Sequence, residues 1–376
     1  MKQKAFILII FLIIFILDFS KIQAQVNNNI LFGERNLTKI SADMSTKISL
    51  YFDKEGQLYP SYFIYNASLI KSGASLVKWY ENNPKLFFEI AKNYNCKFSK
   101  YSVENCGILN DSISSLYIKQ INKNGTDFKS LTFLIHGFRK PFTDINGDAS
   151  SPTDYKTMQE TINKNGQNKT FFVEIYWDSL YGKRFSANLK ANKIMYAVFE
   201  KSQINAEFVG VSLKNIISNV NFDVVNIITH SLGAKVALFA LLDMKNDSFK
   251  TLSNNKVNLI MFAPAISGEL IIDNFYKRNT KVDYKNKDNY HFSIIYNKND
   301  IALRKKIGFV GPGPYKHGNT TLGCNYDDAA TKLKTTFTAK YPNSILDLYD
   351  FSDVGGCHLV NCYFSARKIK DVVKNM

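Results

Sequence analysis

The chain has 376 residues, 45% of them hydrophobic and 14% aromatic, a balance that excludes collagenous, low-complexity and largely disordered proteins. That length accommodates one large α/β domain with an appendage, or two domains. The 48 Lys and Arg against 32 Asp and Glu leave +16, but the surplus lysines are scattered among asparagines, as in 277–289, rather than gathered on one helix. A solvated surface bias is the expected meaning, with weak attraction to an anionic surface such as a membrane or acidic polysaccharide as the alternative.

At the amino terminus, Lys2 and Lys4 precede an unbroken apolar run from Ala5 to Leu17, and Ser20–Ala24 ends on a small residue. This is the pattern of a secretory signal peptide over residues 1–24, and the run is shorter than the roughly 20 residues a membrane span needs. A retained signal anchor is the rival reading. The mature protein is therefore expected to be secreted or periplasmic, where disulfides persist. Of the five cysteines, Cys96 and Cys106 lie in one polar stretch and are the natural pair; Cys324, Cys357 and Cys362 leave one odd thiol.

Residues 25–130 read as a region of mixed α/β character. Ile48–Phe52 has strand composition, and Ala67–Tyr80 and Pro84–Tyr94 have helical spacing, the second with Pro at its start. A hairpin is expected from Ser115–Gln120 and Leu131–Ile135, with turn residues at Asn122–Gly125. From 131 onward, apolar and β-branched runs recur at Leu131–Ile135, Phe171–Trp177, Val224–Ile228, Val257–Phe262, Phe292–Tyr296 and Ile345–Tyr349. Between them Asn188–Val198, Gln203–Ile217 and Leu232–Leu242 have helical composition. Strands alternating with helices predict an α/β fold with a doubly wound, mostly parallel sheet, its ligands at the carboxyl ends of the strands.

Two segments carry chemistry. In Val224–Ala234, a strand runs into Thr229-His230-Ser231-Leu232-Gly233 and then a helix. A serine hydroxyl becomes a useful nucleophile when a tight strand-to-helix turn presents it beside a base. Such a turn needs small residues two before and two after; Gly233 meets the second requirement, whereas Thr229 departs from G-x-S-x-G at the first. The second segment, Leu131–Phe138, ends in His136-Gly137-Phe138. Its turn can aim the Phe138 amide, beside that of Leu232, at a developing oxyanion. His136 is expected to order this loop.

These segments resemble the α/β-hydrolase superfamily, particularly its lipases and esterases. Ile175–Ser179, Phe262–Ala265, Asn299–Leu303 and Asp350–His358 are similar to a poorly characterised bacterial branch of it. The resemblance runs from Leu131 to Phe364 and marks 131–376 as the catalytic domain. It implies a nucleophile, acid and base in the order Ser, Asp, His. No carboxylate follows the strand Val257–Phe262 until Glu269, so Asp300, after Phe292–Tyr296, is the expected acid and Asp353 its rival. His358, beyond Gly355-Gly356, is the expected base and His317 the rival, since His291 begins a strand and His230 adjoins the serine.

The implied activity is a secreted serine hydrolase that cleaves small-molecule or lipid carboxylic esters through an acyl-enzyme, with Ser231, Asp300 and His358 catalytic and the Phe138 and Leu232 amides as the oxyanion hole. No metal or organic cofactor is expected. Without a dinucleotide, P-loop or RNA-binding motif, no nucleic-acid partner is expected either. The alternatives are a catalytically silent binding or adhesion protein on a hydrolase scaffold and an anionic-surface binder. Asp144–Asp148 lacks the EF-hand glycine and glutamate positions and reads as a polar turn. The polar stretch 140–167 is expected to be a lid, a rim or a surface loop.

Overall fold

The computed structural model describes residues 47–65, 73–138, 150–166, 169–179, 189–242, 256–277, 290–305, 320–374 and 376. Seven strands form one sheet: β1 (Lys47–Phe52), β2 (Ser130–Ile135), β3 (Thr170–Trp177), β4 (Val224–His230), β5 (Lys256–Phe262), β6 (Tyr290–Tyr296) and β7 (Ile345–Asp350). Their order is β1-β3-β2-β4-β5-β6-β7 and every pairing is parallel. Helices cover both sides of the sheet, so central strands must be apolar on both faces. Every residue of β2 and β3 is buried.

Register in the middle of the sheet is pinned by polar side chains. Asn258 Nδ2 on β5 donates to Asn226 Oδ1 on β4 at 2.8 Å, Asn226 Nδ2 donates to Thr132 Oγ1 on β2 at 3.3 Å, and Thr132 Oγ1 lies 2.7 Å from Thr170 Oγ1 on β3. A slip of one residue would strand these buried groups without partners, a penalty that apolar pairs could not impose.

The amino-terminal region enters this same sheet, because the strand expected at 48–52 is β1, paired along β3 from Lys47↔Phe172 to Phe52↔Trp177. At its end the buried Asp53 carboxyl accepts the N–H groups of Glu55, Gln57 and Leu76, each at 2.8 Å. Burial pushes Asp53 up to about 7 although these three bonds pull the other way.

The expected hairpin is overturned. Ser115–Gln120 lies inside the helix Val103–Asn124, and β2 is flanked by β3 and β4. The helix period wins because Cys106, Leu109, Ile113, Tyr117 and Ile121 recur every three or four residues and are all buried. Ser102 caps the start by accepting from Asn105 N at 3.1 Å, and Gly125 N closes the end on Ile121 O at 2.9 Å.

The cysteine expectation also changes. Cys357 is bonded to Cys362, while Cys96, Cys106 and Cys324 are free. Cys106 sits on the core face of its helix, whereas Cys96 Sγ donates to Ser112 Oγ at 3.2 Å, well over a turn further along.

The helices expected at 188–198 and 203–217 are one, Leu189–Ile217, and Pro84–Asn93 begins at its proline as expected. The helix expected from Ala67 begins only at Leu76 and runs to Asn82: Gly73 has a φ of 78° and Ser75 is the extended N-cap, while 67–72 lie outside the described residues. Within the stretch read as a lid or loop, Ser151–Asn165 is a helix that buries Tyr155, Met158 and Ile162; it is part of the core. Asp144–Asp148 lies outside the described residues. Among the described residues no helix is long and apolar enough to cross a membrane.

Candidate active site

Ser231 follows the last residue of β4 and precedes the helix Gly233–Leu241. Its φ of 54° lies in the left-handed region, a conformation costing a non-glycine residue about 1 kcal/mol or more. The surroundings hold it there. Ser231 N donates to Phe262 O at 2.9 Å, and Ser231 O accepts from Ala265 N at 2.9 Å and Ala234 N at 3.2 Å.

Gly233 is required by space. A Cβ there would sit 2.6 Å from Ile135 O and 2.7 Å from His136 O. Thr229, two residues before the serine, is fully buried, and its hydroxyl has no partner among the described residues.

Asp300 lies just beyond β6, where it caps a short helix, Ile301–Arg304, by accepting Leu303 N on Oδ1 at 3.0 Å. His358 lies beyond β7 on a loop that turns at Gly355, whose φ of 69° suits glycine. Asn297, at the end of β6, anchors that loop by donating to Gly355 O at 2.8 Å and Cys357 O at 3.2 Å.

Three residues distant in sequence therefore meet at the carboxyl edge of the sheet. His358 Nδ1 is 2.7 Å from Asp300 Oδ2, and His358 Nε2 is 2.9 Å from Ser231 Oγ. A carboxylate only accepts, so the proton resides on Nδ1 and Nε2 faces the hydroxyl as an acceptor. Asp300 is fully buried, and the His358 side chain is 22% exposed. A fully buried carboxyl group thus backs an imidazole that is open on its other side.

The loop after β2 passes directly over the serine. A Cβ on Gly137 would lie 2.8 Å from Ser231 Cβ and 3.0 Å from His230 O. Phe138 follows Gly137, and Leu232 begins the elbow helix. Neither backbone amide has an acceptor among the described residues.

His136 does not belong to this chain of bonds. Its Nε2 accepts Trp177 N at 3.2 Å, its Nδ1 donates to Gly137 O at 2.8 Å, and its carbonyl accepts Trp177 Nε1 at 3.0 Å. It orders the loop from within the core.

The rivals are placed elsewhere. Asp353 pairs with Lys368 Nζ at 3.1 Å on the surface, and His291 pairs with Asp347 at 2.8 Å across β6 and β7. His317 is outside the described residues.

Two contributors escaped sequence reasoning. Tyr363 donates its hydroxyl to Asp300 Oδ2 at 3.1 Å. His230 was visible only as the serine's neighbour; its Nε2–H donates to the carbonyl of His358 at 2.7 Å. Among the described residues no cluster of His, Cys, Asp and Glu is arranged to hold a metal ion.

Residues 118–307 match the family model described as "Alpha/beta hydrolase of unknown function (DUF900)", about half of the chain. No curated protein matches it. Among solved structures, the lin2722 gene product of Listeria innocua is similar at 8% identity over 65% of this chain and 92% of its own, with a TM-score of 0.33. The family match, together with a parallel seven-stranded sheet and a serine elbow after its central strand, shows that the chain belongs to this alpha/beta-hydrolase family.

Proposed function

We propose that the protein is a serine hydrolase that cleaves carboxylic esters through an acyl-enzyme. The observation that carries this reading is the unbroken chain Ser231 Oγ–His358–Asp300, with contacts of 2.9 and 2.7 Å. In the proposed reaction, Ser231 Oγ attacks the acyl carbonyl while His358 Nε2 takes its proton. Asp300 keeps the imidazole in the required tautomer and stabilises its protonated form. The negative charge that develops on the carbonyl oxygen is met by the Phe138 and Leu232 amides, each worth about 2.7–4 kcal/mol in comparable sites. His358 then returns the proton to the leaving alcohol. Water attacks the acyl-enzyme by the same proton path and regenerates Ser231. Every step uses side chains and amides of this chain.

The test is hydrolysis of a p-nitrophenyl ester series, acetate to palmitate, by the wild type and Ser231→Ala. Losing a triad serine costs on the order of 10⁶ in turnover in a well-studied case, so activity should vanish in the variant. Equal rates in the two proteins, or none in either, would favour a silent scaffold. Protein for this assay, recovered from the culture medium and sequenced from its amino terminus, also tests the proposed export: a start near Gln25 supports a cleaved leader.

A further inference from the structure

Asp300 occupies a position that is costly for an ionised carboxylate. It is fully buried, and a charge there persists only when hydrogen bonds replace water. Three donors surround it: Leu303 N–H on Oδ1, and His358 Nδ1–H and the Tyr363 hydroxyl together on Oδ2. An sp² oxygen has two lone pairs, so the two donors on Oδ2 fill it and keep the carboxylate from rotating.

Tyr363 reaches this position through the chain itself. It directly follows Cys362 as His358 directly follows Cys357, and those two cysteines are bonded to each other. The closed loop thus delivers both donors to one oxygen. The Tyr363 ring is fixed among Phe351, Phe262 and His230, with centroids 6.1, 6.1 and 6.4 Å away.

We propose that Tyr363 is a positioning residue of this site, holding Asp300 in orientation so that His358 stays aligned on Ser231, with the Cys357–Cys362 cross-link keeping the two donors in register. This rests on the reading of Ser231, His358 and Asp300 as a catalytic set. Burial, and then the Asp300 charge, push the Tyr363 phenol well above its ordinary range, so it remains a donor throughout.

Losing the hydroxyl leaves Oδ2 with the His358 donor alone and frees the carboxyl to turn, so His358 should drift from Ser231 Oγ. Among the described residues, the other titratable groups facing the Asp300–His358 pair are His230 from β4 and Cys324 from the segment before Ala329–Lys340. Arg304 and Lys305 act on Cys324 from the segment after Asp300. Burial holds Cys324 up at about 11, so it stays neutral over the test range. His230 is tied to the same loop, its Nε2–H donating to the His358 carbonyl at 2.7 Å.

The experiment measures the rate at which a fluorophosphonate labels Ser231 between pH 4 and 9 in wild type, Tyr363→Phe and Ser231→Ala. Loss of that alignment should make labelling of Tyr363→Phe up to about tenfold slower than wild type. An unchanged profile in a folded Tyr363→Phe overturns the proposal and leaves the catalytic reading standing. Absence of labelling in wild type overturns the catalytic reading instead.

A second measurement decides the Tyr363 contact without any variant. In low-field proton NMR of the wild type, His358 Nδ1–H and the Tyr363 hydroxyl proton, held on one oxygen, should cross-relax. No cross-peak between two resolved, solvent-protected resonances overturns the proposal.

Discussion

Gly137→Ala isolates the loop that passes over the serine. Gly137 is not among the residues with positive φ, so alanine brings no backbone penalty and the effect comes from contact alone. Its Cβ would fall 2.8 Å from Ser231 Cβ, 3.0 Å from His230 O and 3.3 Å from His230 Nδ1. Ordinary carbon–carbon contact begins near 3.5 Å, so about 0.7 Å must be recovered by movement. Ser231 cannot supply it, because its backbone is held through bonds to Phe262 O and from Ala265 N, both at 2.9 Å. The Gly137–Phe138 loop has to lift instead.

Overpacking of this kind costs about 1–3 kcal/mol of stability. Activity should suffer more, since a donor 0.7 Å further away leaves the range of about 2.7–3.1 Å over which an oxyanion is stabilised, a loss of roughly 10²–10³ in kcat. Steady-state kinetics on p-nitrophenyl acetate, paired with a thermal unfolding curve, reads both effects. A folded variant whose kcat lies within threefold of wild type would refute the assignment of the Phe138 amide to the oxyanion.

Two further substitutions test the scaffold. Thr229→Val replaces a buried hydroxyl that lacks a partner among the described residues by a methyl of similar shape, and should raise stability by about 1 kcal/mol in urea denaturation; a less stable variant means that the hydroxyl is bonded. Asp53 has a folded-state value raised to about 7, against an unfolded value near 3.9, so between those limits the native state binds the extra proton and stability falls as pH rises. Asp53→Asn should flatten that decline when unfolding is followed from pH 5 to 8. Parallel curves for the two proteins would show that Asp53 is already ionised at pH 5.

The order of strands after 131 was legible because buried parallel strands are short apolar runs, so each announces itself locally, whereas the crossover helix Ser151–Asn165 was hidden in a polar stretch. The elbow was legible for a similar reason: Ser231 and Gly233 lie two residues apart, the spacing a tight strand-to-helix turn demands, although the atoms that crowd Gly233 belong to Ile135 and His136. Asp300 and His358 could be named only through the order of strand ends that the resemblance implies, although their geometry depends on β6 and β7 lying side by side.

What sequence could not decide was set by contacts across the fold. Ser115–Gln120 has the composition of a strand, but the buried stripe of its helix faces partners far along the chain, and local composition carries no record of them. Cysteine pairing follows the direction of each side chain, so a shared polar stretch misled for Cys96 and Cys106, while Cys357 and Cys362 were brought together by the loop that carries His358. Tyr363 looks like one of 21 tyrosines until the sheet brings β6 and the last loop to the same oxygen of Asp300. Residue types and local turns are written along the chain; which donors converge on one buried charge is decided only when the strands that carry them lie side by side.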